Sequence, residues 1–242
     1  MSLLILDAGH SFSTAGKRNE KENFYEWQFN NDMQYKIKAR CEELGIKVFL
    51  TNPNPSKVSD LPLTTRANLA NDYWIKNNKP KSMLISLHAN AFSNAAARGT
   101  ETYHANNASN TSKNFAKVLN DNIVKAMKEL DINAKDRGVK SENFTVIYKA
   151  SMPSVLVEYG FYSNLDDLKI LKNNQDELVE ATVKAICSYF NIEYKEKVKV
   201  NENKSNGLYA VCVGAYKDRN KADAIVEELK KKGYTSTYLI VR

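Results

Sequence analysis

Short apolar runs alternate along this chain with longer stretches whose apolar residues recur every three to four positions, and that alternation leaves few folds open. Leu3–Leu6, Lys47–Thr51, Ser82–Leu87, Gly99–Ala105, Phe144–Tyr148 and Ser154–Tyr159 read as strands. Glu22–Leu44, Thr64–Asn77, Ser112–Leu130, Leu165–Leu171 and Asp176–Phe190 read as helices, the first stopped by Gly45. Strands this apolar are buried on both sides. The pattern therefore predicts an α/β fold, a twisted and mostly parallel sheet with helices on both faces, over residues 1–192.

The pattern breaks at 193–206, where EYKEKVKVNENKSN reads as a polar linker. Residues 207–242 then read as a small βαβ unit, with Leu208–Ala215 and Tyr234–Val241 as strands. Its helix, Asn220–Lys232, carries Ala222, Ile225, Val226 and Leu229 on one stripe and ends at Gly233. A unit of that size has too little core to stand alone, so it should dock or pair with a copy of itself.

A net charge of +7 suits a polyanionic partner such as nucleic acid, an anionic membrane or cell wall, but the charge is spread and selects none of them. No nucleic-acid-binding motif is visible. No apolar run approaches the roughly 20 residues of a membrane span. Cys41, Cys187 and Cys212 form no CxxC pair and read as small buried hydrophobes. Met1-Ser-Leu-Leu-Ile-Leu-Asp7 lacks a basic leader and runs straight into folded pattern, so no export signal is expected.

Chemistry concentrates at strand ends. His10 and His88 each sit at the C-terminal end of an apolar strand, the edge where open α/β sheets bind ligands. Two imidazoles there could begin a zinc site, completed by a carboxylate, or could be polar loop residues. Glu26 lies within about 20° of Met33, Ile37 and Leu44 around its helix, on the buried stripe. It needs a cation or strong donors there, unless it is a first-turn glutamate with its head at the surface. Glu158 closes the buried run Val155-Leu156-Val157 and is placed either as a proton acceptor beside a metal or as a solvated strand-end charge. His104 reads as a surface or groove residue.

These residues lie in segments that resemble one family in order. Asp7-Ala8-Gly9-His10, Glu26-Trp-Gln-Phe-Asn30, Ser86-Leu87-His88-Ala89-Asn90-Ala91, Arg98-Gly99-Thr100-Glu101-Thr102 and Met152-Pro-Ser-Val-Leu-Val-Glu158-Tyr-Gly-Phe-Tyr-Ser-Asn164 are similar to the zinc amidase family that contains N-acetylmuramoyl-L-alanine amidases. The likeness runs from about residue 3 to residue 190. It implies His10, Glu26 and His88 as zinc ligands and Glu158 as the catalytic carboxylate. It also implies hydrolysis of the amide between N-acetylmuramic acid and L-alanine of bacterial peptidoglycan, with lysis of the cell wall. The family often has glycines after the first histidine, whereas Ser11-Phe12-Ser13 follow here, which bears on the shape of that loop.

Tyr209-Ala-Val-Cys-Val-Gly-Ala-Tyr216, the turn Lys217-Asp-Arg-Asn220 and Gly233-Tyr234 resemble half of a SPOR domain, a module of cell-wall proteins that binds glycan lacking stem peptides. Cys212 stands where a polar residue is common. One copy of the unit suggests a homodimer through residues 207–242. The expected setting is a phage or prophage endolysin, made in the bacterial cytoplasm and acting on the wall after holin-type release, with an exported autolysin as the alternative. The competing activities are a zinc carboxypeptidase acting on cell-wall peptides and a non-catalytic wall-binding protein.

Overall fold

The computed structural model describes residues 2–57, 59–197 and 218–233. The chain divides into two compact units, Met1–Glu196 and Lys197–Arg242.

The first unit is built on a six-stranded sheet in the order β4-β1-β5-β8-β6-β7. Its strands are β1 (Ser2–Ala8), β4 (Lys47–Leu50), β5 (Lys81–Asn90), β6 (Thr100–His104), β7 (Asp136–Ser141) and β8 (Ser154–Phe161). Every pairing is parallel except β6 against β8. Side chains alternate across the sheet as the pleat requires. Leu4 and Leu6 of β1, Met83, Ile85 and Leu87 of β5, and Val155 and Val157 of β8 enter one core. There they meet α1 (Glu26–Glu43), α3 (Asn110–Leu130), α5 (Leu165–Asn173) and α6 (Gln175–Phe190). Leu3, Ile5, Leu84 and Leu156 enter a smaller core on the opposite face, under α2 (Leu63–Lys76) and α4 (Thr145–Lys149). Helices on both faces explain why these strands read as continuous apolar runs.

Phe144–Tyr148, expected as a strand, is instead the entry to α4. Its Val146 and Ile147 are buried under the second face of the sheet, and an apolar run of five residues does not distinguish a strand from one turn and a half of helix. The strand β7 carries no apolar alternation, because it is an edge strand of largely exposed residues. The first helix begins at Glu26 rather than Glu22, because β2 (Arg18–Asn19) and β3 (Phe24–Tyr25) form a small antiparallel hairpin just before it. Cys41 and Cys187 are buried free thiols, while Cys212 lies outside the described residues.

Within the second unit, α7 (Arg219–Lys231) is described, capped by the Asp218 side chain on the Asn220 N–H. Its half-buried residues are Ala222, Ile225, Val226 and Leu229, the stripe expected from spacing. The two strands expected on either side of it lie outside the described residues. No helix among the described residues is long and apolar enough to cross a membrane.

Candidate metal centre and its surroundings

At the C-terminal edge of the sheet, β1 runs out into Gly9 and His10, and β5 carries His88 near its end. The N-terminus of α1 delivers Glu26 between them. Its Oε1 lies 3.3 Å from His10 Nε2 and 3.1 Å from His88 Nδ1, and it also accepts the Ala89 N–H at 3.3 Å. The two imidazole rings stand edge to face, 5.0 Å between centroids. One ligand atom from each of the three residues lies within 4.8 Å of the other two, the one such cluster among the described residues.

Glu26 is 2% exposed. Burial alone would push its carboxyl up, but the hydrogen bonds and charges of His10 and His88 outweigh that and bring it down to about 2. Its second oxygen, Oε2, is buried without a hydrogen-bond partner. A buried carboxylate oxygen without a protein partner and two converging ring nitrogens form a donor set suited to a divalent transition metal. The residues present fit such an ion.

Glu158 stands beside this cluster. It is directly opposite His88 across β5 and β8, so both side chains leave the same face of the sheet. Its Oε2 is buried and unpartnered. Burial first, then the nearby Glu26 and Glu101 carboxylates, push its carboxyl well above the usual range. A cation held by Glu26 would remove the largest of those repulsions. Glu158 is not one of the three clustered ligand residues.

The first histidine is held by its backbone. His10 has φ 65°, a left-handed conformation that histidine tolerates better than most residues. Three consecutive carbonyls around it are tied down by side chains. Asn52 donates to Ala8 O and His10 O at 3.0 Å each, Asn30 donates to Gly9 O at 3.1 Å, and Arg66 donates to Ala8 O at 2.5 Å and His10 O at 3.4 Å. Arg66 is fully buried and pairs with Asp60 and with Asp7, whose carboxylate also accepts Thr51 and Ser86 hydroxyls at 2.5 and 2.7 Å. Gly9 is needed for another reason. A Cβ there would sit 2.1 Å from His88 Cε1, so any side chain would displace the ring. The Ser11-Phe12-Ser13 segment makes a tight turn without glycine: Ser11 N–H donates to Thr14 Oγ1 at 2.9 Å, and Phe12 N–H donates to Pro55 O at 2.9 Å.

Sequence reasoning placed His10, His88 and Glu158 at strand ends and Glu26 on the buried stripe of its helix; the structure clusters His10, Glu26 and His88, with Glu158 opposite His88. That reasoning missed Arg66 and Asn52 as parts of the site and gave no role to Asn30 and Glu101, which it met only within the family-like segments. Arg66 had a signal: it lies within about 40° of Ala70 and about 20° of Tyr73 around α2, on that helix's buried stripe, as Glu26 does on its own. His104 is half-buried at the end of β6 with Nδ1 2.8 Å from Ala105 O, outside the cluster.

The sequence model of the N-acetylmuramoyl-L-alanine amidase family matches residues 4–188, and that of the SPOR domain matches residues 189–240. The chain is 24% identical over 250 residues to the sporulation-specific N-acetylmuramoyl-L-alanine amidase of Bacillus subtilis (strain 168), covering 99% of this chain and 85% of that protein. It is 32% identical over 204 residues to the endolysin of Bacillus phage SPP1, covering 81% of this chain and 69% of the endolysin. Among solved structures, the catalytic domain of the amidase CwlV from Bacillus (Paenibacillus) polymyxa var. colistinus superimposes with a TM-score of 0.67 at 28% identity, over 80% of this chain and all of that domain. An N-acetylmuramoyl-L-alanine amidase from Clostridium difficile 630 gives 0.66 at 29% identity, over 78% of this chain and 96% of that one.

Proposed function

This chain belongs to the N-acetylmuramoyl-L-alanine amidase family, and on that premise we propose that it is a zinc hydrolase whose metal is held by His10, Glu26 and His88 and whose catalytic carboxylate is Glu158. The reaction is hydrolysis of the amide between N-acetylmuramic acid and L-alanine in bacterial peptidoglycan. The observation that carries the metal reading is Glu26: a carboxylate 2% exposed, with two imidazole nitrogens on one oxygen and nothing on the other. Leaving it so is costly unless a cation completes the site.

Zinc in such a site supplies a Lewis acid that polarises the amide carbonyl and eases deprotonation of water. The chain's own residues do the rest. Glu158, one strand from His88, takes the proton from the attacking water and hands it to the departing amine of L-alanine. The Arg66, Asn30 and Asn52 clamp holds the His10 loop in its left-handed turn, so that the imidazole need not be reordered when the ion binds.

Purified protein is expected to carry about one zinc per chain. Chelation should abolish wall lysis, and added zinc should restore it. His88→Ala should lose the metal as well as the activity, read by elemental analysis beside the lysis assay. Metal-stripped protein that lyses sacculi at full rate would overturn this reading.

Residues 207–242 are proposed to pair two copies of the chain and so assemble a larger wall-binding sheet, supported by the SPOR match. Light scattering should give a dimer for the full chain and a monomer for a chain ending at Ile192. Two monomers would exclude pairing. The proposed setting is phage-driven wall lysis after release through the membrane by a separate pore-forming protein, supported by the likeness to the phage endolysin.

A further inference from the structure

Beside Glu158 lies a second, differently built group of charges. Glu101 on β6 is directly opposite Glu158 on β8, so His88, Glu158 and Glu101 form a row on one face of three adjacent strands. Glu101 is 2% exposed, and its Oε1 accepts Asn90 Nδ2 at 2.8 Å and Tyr103 OH at 2.9 Å. Its Oε2 accepts Arg137 Nε at 2.7 Å and also Lys140 Nζ. Two cations on one carboxylate leave one positive charge over, and both side chains remain about a third exposed, 34% and 38%. The neighbouring acid, Asp136, forms no ion pair with either cation among the described residues. Its Oδ1 is taken by Asn120 Nδ2 at 2.9 Å and Gly138 N at 2.8 Å.

Arg137 is also oriented. Its guanidinium stacks over the Phe161 ring at 4.8 Å, and Nε is fixed on Glu101. Its two terminal nitrogens have no hydrogen-bond partner among the described residues. A guanidinium held by Nε and a ring face presents the remaining fork, the geometry that grips a carboxylate with two parallel bonds.

We propose that Arg137 and Lys140, braced by Glu101, form a subsite for a carboxylate of the peptide that the enzyme releases. This rests on the amidase reading above. The lactyl carboxyl is consumed in the scissile amide, so the carboxylates of a peptidoglycan substrate near the cut lie on the peptide side. Arg137 reaches back from β7 to Glu101, which stands one strand from Glu158, so with strands spaced about 4.8 Å apart the fork lies roughly 5–10 Å from Glu158. An extended peptide advances about 3.3–3.6 Å per residue, so the fork meets the peptide within about one to three residues beyond the amide. The peptide thus runs from Glu158 across β6 toward β7, with the glycan on the His10 side.

The test uses the full, zinc-loaded chain and two synthetic peptides, L-alanine followed by a second residue bearing either a free carboxylate or a carboxamide. Calorimetry should show the unaltered protein binding the carboxylate peptide about tenfold more tightly, and Arg137→Ala should bring that ratio close to one. Lys140→Ala should reduce it in part. Arg137→Lys, which keeps charge but loses the fork, should fall between. A ratio near one in the unaltered protein would overturn the subsite. So would a ratio preserved in Arg137→Ala, which would mark Arg137 as a structural partner of Glu101 alone. Cleavage of N-acetylmuramoyl versions of the same peptides tests the amidase reading separately: if it fails while the binding ratio stands, the reaction is wrong and the subsite is not.

Discussion

Replacing Glu158 with glutamine is expected to lower turnover by about 10²–10⁴-fold and to leave the proposed metal site filled. The substitution keeps size and polarity but removes the group that accepts a proton, and general acid–base catalysis contributes about that factor. Metal should be retained because Glu158 stands outside the cluster of His10, Glu26 and His88. Its buried Oε2 has no protein partner to lose, so stability should change little. Elemental analysis, thermal unfolding and lysis rate on one preparation separate the three effects. Zinc lost together with activity would make Glu158 a ligand, and undiminished turnover would place the proton acceptor elsewhere.

The second large effect falls on stability. Arg66→Ala leaves the Asp7 carboxylate, 1% exposed, without its cation, and frees the carbonyls of Ala8 and His10 from one donor. Breaking a buried pair from one side costs about 3–5 kcal/mol. For a unit of this size each kcal/mol moves the melting temperature by about 2–4 °C, so a fall of roughly 6–20 °C is expected. Zinc affinity should fall as well, since His10 loses part of its backbone clamp. A melting temperature within a degree or two of the unaltered protein would show that Asp7 is satisfied by Thr51 and Ser86 alone.

The two predictions bear on what the amino-acid order made visible. Glu26 was legible because a helix has a fixed angular repeat, and a charge on the apolar stripe stands out. His10, His88 and Glu158 were legible because parallel strands end at one edge and ligands collect there. Arg66 carried the same signal as Glu26, although its partners Asp7 and His10 lie more than fifty positions away along the chain. Glu101 was seen as part of a strand but not as a neighbour of Glu158, because β6 enters the sheet antiparallel and only that register sets the two side by side. The edge strand β7 went unread, and the segment of the short helix α4 was read as a strand. β7 has no buried face to impose alternation, and α4 has too few residues to show a period.

The most direct test of the whole account is chemical identification of the ends made when the zinc-loaded protein digests purified sacculi. The account predicts new L-alanine amino termini and peptide-free muramic acid, no new reducing sugars, and loss of both products in Glu158→Gln and after chelation. New reducing ends, or amino termini from any other residue, would contradict it.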